Sequence, residues 1–120
     1  MAEKIFDLKR RTYRFALDVV KFLDGLPQDY VTRTIGQQLL RAGTSIGANV
    51  VEAQASSSKK DFANYYHHAL KSANETKFWL GLLKDSGKVT NELIESLLNE
   101  TQELSNILAS SLLTIKGRKR

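Results

Sequence analysis

The sequence contains no cysteine, a single proline, one tryptophan and only two histidines in 120 residues. Without cysteine there is no disulfide scaffold, no Cys-based zinc site and no thiol nucleophile, and the reducing cytoplasm is the expected setting. Long apolar runs are missing as well. No stretch approaches the ~18 apolar residues of a membrane span, and the start MAEKIFDLKRR carries charge where a signal peptide needs an apolar core. A soluble, unprocessed chain is expected. Runs alternating with period two are also absent, which removes strands from the prediction. At 120 residues the chain suits one domain, 1–120, long enough to bury a core without metal or disulfides.

Scarce turn formers divide what is there. They gather at Asp24-Gly25-Leu26-Pro27, Ser56-Ser57-Ser58 and Ser86-Gly87-Lys88, leaving four segments. Leu8, Thr12, Phe15, Val19, Phe22 and Leu26 recur at steps of three and four, as do Ile35, Leu39, Ala42, Ile46 and Ala53. Phe62, Tyr66, Ala69, Ala73, Thr76, Leu80 and Leu83 form the clearest stripe, and Leu97, Thr101, Leu104, Leu108 and Ile115 the fourth. Ser58 with Asp61 has the form of a capping box, and Thr90 with Val89 and Ile94 that of an N-cap with a hydrophobic staple. The prediction is all-α: helices over about 7–24, 30–55, 59–86 and 91–116 in an antiparallel up-down-up-down four-helix bundle, with 117–120 a flexible basic tail.

The second segment holds a puzzle in RAGTSIGANVVEAQA, Arg41 to Ala55. On a helical wheel Gly36, Gly43 and Gly47 share one line, although each costs about 1 kcal/mol relative to alanine in a helix interior. Close approach of another helix is the expected compensation. Gln38, Arg41, Ser45, Asn49 and Glu52 lie nearly opposite. A solvated stripe is one reading of that line. The other is a partly buried network: if the second and third segments fold back around Ser57, Arg41 lies level with Ser72 and one turn from Glu75, with Ser45, Asn49, Glu52 and Ser72 supplying the remaining bonds.

Sites of chemistry are sparse. The Glu-x-x-His motif of metal-holding bundles is absent, because Asn64 and Tyr65 stand three before His67 and His68, which themselves project about 100° apart. No metal, cofactor or small-molecule substrate is expected. Ser45 and His68 come level in the fold-back, but no orienting group or oxyanion donor accompanies them, so an enzyme is not expected. No phosphate-binding glycine loop is present.

Charge is more informative. Lys and Arg number 18 against 13 acids. The bundle topology collects Lys9, Arg10, Arg11, Arg14, Lys59, Lys60, Lys116, Arg118, Lys119 and Arg120 at one end, a candidate surface for RNA or DNA backbones. Tyr13 is the only plausible stacking candidate at that end, so base readout is not predicted. Helix one also carries Tyr13, Ala16, Val20 and Leu23 beside its core stripe, a wide apolar face consistent with self-association. A protein-binding scaffold anchored on Phe78 and Trp79 is the rival reading.

The pattern Arg41-Ala42-x-x-Ser45-Ile46-x-x-Asn49-x-x-Glu52, followed by Ala69-x-x-Ser72-x-x-Glu75, resembles the paired signature of the small four-helix-bundle proteins encoded in intervening sequences of bacterial 23S ribosomal RNA genes. The likeness runs over essentially the whole chain. Ala53 departs from it, since the family usually has glycine there. The resemblance implies an antiparallel bundle assembled as a homopentameric ring, with the polar residues in a structural role. A more distant likeness to the basic pentameric accessory protein of diversity-generating retroelements implies contact with nucleic acid.

Overall fold

The three turn clusters end and begin helices as their chemistry requires. The computed structural model describes residues 2–90 and 92–117, and side chains from residue 7 onward. It contains α1 (Ala2–Asp24), α2 (Tyr30–Ala55), α3 (Lys59–Asp85) and α4 (Leu93–Gly117), with no strand among the described residues. Asp29 caps α2 by accepting from the Thr32 N–H at 3.1 Å, and Ser58 caps α3 by accepting from the Asp61 N–H at 3.0 Å. Gly87 follows α3 with φ +75°, a conformation that other residues adopt only under strain.

Two boundaries differ from the sequence expectation. α1 starts at Ala2, ahead of residue 7, and α4 starts at Leu93, so Thr90 stands too far ahead to cap it. Val89 and Ile94 are both buried, at 6% and 4% exposure, but with α4 starting at Leu93 they do not stand at the flanking positions of a hydrophobic staple, so that expectation falls with the cap. Of the expected tail 117–120, Gly117 closes α4 and residues 118–120 lie outside the described residues.

Each helix packs antiparallel on its sequence neighbour, and α4 returns against α1, closing a rod of 50 × 21 × 21 Å. Phe15 and Phe22 of α1, Leu39 and Ile46 of α2, Leu80 of α3 and Leu104 of α4 are each 1% exposed or less. Burying each contributes roughly 1.5–3 kcal/mol. The threonines within the stripes are buried without orphaning their hydroxyls: Thr12 donates to the Lys9 carbonyl, Thr76 to Ser72 and Thr101 to Leu97.

The glycine line of α2 faces α1. A Cβ on Gly36 would stand 3.2 Å from Leu23 Cδ2, on Gly43 3.2 Å from Val19 Cγ2, and on Gly47 3.2 Å from Thr12 Oγ1. Small residues therefore let two helices of one subunit approach closely, and this contact sets the α1–α2 register.

Candidate nucleic-acid interface

The packing register places the expected basic residues. Gly47 meets Thr12, while Asp7 and Leu8 share a groove with Ser110, Ser111 and Thr114. The start of α1, the α2–α3 turn and the end of α4 therefore lie at one end of the rod. Two helix N-termini and two C-termini meet there, so their macrodipoles largely offset one another and side chains set the sign of the potential.

Lys9, Arg10, Arg14, Lys59, Lys60 and Lys116 are all exposed at or near this end, and none makes an ion pair among the described residues. Arg118, Lys119 and Arg120 lie outside the described residues. Arg11 needs correction. Expected among the free cations, it instead reaches across the α1–α4 seam to Glu100, with Nε–Oε2 at 2.8 Å and Nη2–Oε1 at 2.9 Å, and its Nη2 lies 3.4 Å from Glu103. The hydrogen bond and charge of Glu100 hold the guanidinium above its ordinary pKa, with Glu103 adding to the effect. Both glutamates lie in the middle of α4. Their pairing was missed because α1 and α4 are the chain's most distant segments, and no loop length relates their registers.

The two grooves beside α1 have opposite character. The α1–α4 groove, about 810 Å³, is lined by Arg10, Arg11 and Arg14 but also by Asp7, Asp18, Glu100 and Glu103. The α1–α2 groove, about 470 Å³, has Lys9 and Arg10 on its lip, no carboxylate, and a lining of Tyr13, Ala16, Gly47, Ala48 and Val51 among others.

The polar line of α2 differs from the partly buried network drawn from the sequence. Arg41 does meet Glu75 across the α2–α3 seam, but their side chains are 55% and 36% exposed. Gln38, on the same line of the wheel, accepts from Arg41 at 3.1 and 3.2 Å, and Trp79 Nε1 donates to Glu75 at 2.9 Å, a partner that helical spacing puts on the Glu75 face but that the expected network lacked. Ser45 and Asn49 turn back on their own helix, donating to the carbonyls of Arg41 at 2.7 Å and Ser45 at 2.8 Å. Glu52 is exposed and Ser72 half-buried, and neither side chain joins the pair among the described residues. The cluster is a surface clasp, because a mid-helix serine or asparagine finds its nearest acceptor four residues back.

No helix among the described residues is long and apolar enough to cross a membrane. No curated protein matches the sequence. Among solved structures, the chain is similar to a protein of unknown function from the S23 ribosomal protein family of Bacteroides thetaiotaomicron VPI-5482, with 38% identity and a TM-score of 0.84 over 91% of this chain and 97% of that one. Residues 4–110 match the family described as 23S rRNA-intervening sequence protein, a span that stops short of Lys116 and the basic terminus. Four helices in this arrangement and a match over most of their length lead to one conclusion: the chain belongs to the 23S rRNA-intervening sequence protein family.

Proposed function

We propose that the protein is a non-enzymatic, homo-oligomeric bundle, a pentamer as the resemblance implies, that holds RNA or DNA backbones on its basic end in the cytoplasm. The observation that carries this reading is the group of exposed cations, Lys9, Arg10, Arg14, Lys59, Lys60 and Lys116, left without carboxylate partners among the described residues. Such a surface binds phosphates with strong salt dependence and little sequence preference. Self-association is supported by Leu17 and Val20 of α1 and Leu40 of α2, which remain 40–41% exposed along one side of the rod. A catalytic reading has little support: Ser45 Oγ donates to the Arg41 carbonyl, and His68 is exposed.

The test is fluorescence-anisotropy titration of structured RNA and duplex DNA at two salt concentrations, with mass followed by light scattering. Binding is expected to weaken steeply with salt, and replacing Arg10 and Arg14 by alanine should lower the salt slope by about two. Arg11 is kept, because its loss would loosen the α1–α4 seam. A folded oligomer that binds neither polymer at low salt would overturn the nucleic-acid reading. A second reading, a scaffold for a protein partner, draws on Phe78, 60% exposed and edge-on to Trp79 at 4.9 Å, with Leu82 39% exposed one turn on.

A further inference from the structure

The α1–α2 groove joins an exposed aromatic ring to unpartnered cations. Tyr13 stands at its edge with 67% of its surface exposed, whereas Phe15 and Phe22 of the same helix are buried to 1%. The floor beside it is recessed because its residues are small: Ala16 on α1, Gly47 and Ala48 on α2. Gly47 also lets α1 settle against α2 at Thr12. Lys9 and Arg10 stand at the lip.

We infer that this groove takes one unpaired nucleotide of a single-stranded nucleic acid, its base stacked on Tyr13 over the Ala16–Ala48 floor and its flanking phosphates on Lys9 and Arg10. The inference rests on the basic-end reading above and extends it from backbone contact to base contact. Charge complementarity selects the occupant. The larger α1–α4 groove offers phosphates the carboxylates Asp7, Asp18, Glu100 and Glu103, whereas the α1–α2 groove offers cations and no acid. Apolar depressions of this size accept a planar ring, and every base has a face that stacks on a phenol without regard to sequence. A purely apolar partner would instead cover Lys9 and Arg10 without neutralising them.

The experiment compares labelled oligothymidylate and oligouridylate with a duplex of equal length, using the full-length protein and its Tyr13→Ala, Tyr13→Phe and Tyr13→Trp variants, with mass recorded by light scattering. Tyr13→Ala is expected to weaken single-strand binding about ten-fold while changing duplex binding less than about two-fold, and Phe or Trp to retain it, because the ring and not the hydroxyl stacks. A 2-aminopurine placed in the strand should be quenched on binding by the parent protein and not by Tyr13→Ala. If Tyr13→Ala leaves single-strand and duplex binding unchanged, the stacking inference is overturned while backbone binding stands. If it lowers the mass instead, a second copy covers the groove and the inference is again overturned. Absence of binding to all probes overturns both readings.

Discussion

Single residues in this bundle show where hydrogen bonding and packing were not satisfied together. Tyr66 is 1% exposed and stacks on Phe62 at 4.5 Å, yet its hydroxyl has no hydrogen-bond partner among the described residues. The ring earned its place through burial, and the hydroxyl was carried in with it. Removing an unsatisfied buried group while keeping its shape is expected to stabilise, so Tyr66→Phe should raise unfolding stability by about 1 kcal/mol, read from urea denaturation at neutral pH. Burial also pushes the Tyr66 pKa from 10.0 up to about 12. The folded chain thus holds this proton more tightly than the unfolded one, so the stability linked to it is complete below pH 10 and is lost as pH rises toward 12. The advantage of Tyr66→Phe should accordingly widen across that alkaline window. A variant less stable than the parent throughout would point to a hidden partner for the hydroxyl.

At the scale of elements, the α1–α2 contact is where helix propensity and packing oppose each other. Alanine is favoured over glycine by about 1 kcal/mol in a helix interior, and the outcome depends on whether the facing atoms yield. Opposite Gly36 stands only the end of Leu23, a flexible side chain. Val19, opposite Gly43, is β-branched and fully buried. Opposite Gly47 stand Thr12 Oγ1 at 3.2 Å, its Cβ at 3.3 Å and its backbone carbon at 3.4 Å, with the hydroxyl held to the Lys9 carbonyl. Thermal unfolding should therefore rank Gly36→Ala at or above the parent, Gly43→Ala below it and Gly47→Ala lowest. Equal melting temperatures for all three would mean that the helices separate without cost. The line of glycines is visible in the sequence, and so is the need for a close neighbour. Which neighbour it is, α1 of the same chain, emerges only once helices are placed around a common core.

At the scale of the whole molecule, the end opposite the cations is tied by a different device. Asp29, ahead of α2, accepts from the Thr32 N–H and also from Lys88 Nζ at 3.3 Å in the α3–α4 turn, so one carboxylate caps a helix and joins two turns. These bonds, led by that to Thr32, hold its pKa at about 2, below the ordinary 3.8. A depressed carboxylate contributes stability that is present above pH 3.8 and lost as pH falls toward 2. Asp29→Asn keeps an acceptor for the cap but has no proton to gain, so its melting temperature should fall less than the parent's across that acid window, and Asp29→Ala should melt lower at neutral pH. An unchanged acid profile in Asp29→Asn would assign the acid sensitivity to other carboxylates.

The sequence by itself determined the number of helices, their amphipathic faces, the cap at Ser58 and the gathering of cations at one end, because each follows from local spacing and from connections too short to allow another order. It also brought Arg41 within reach of Glu75, since two helices joined by a short turn have a calculable register. Only the tertiary structure decided that Arg11 is held by Glu100 and that Tyr13 edges a groove without acids. Those outcomes depend on the rotation of each helix about its axis and on contacts between α1 and α4. Close packing of the whole core sets both, and no local pattern records them.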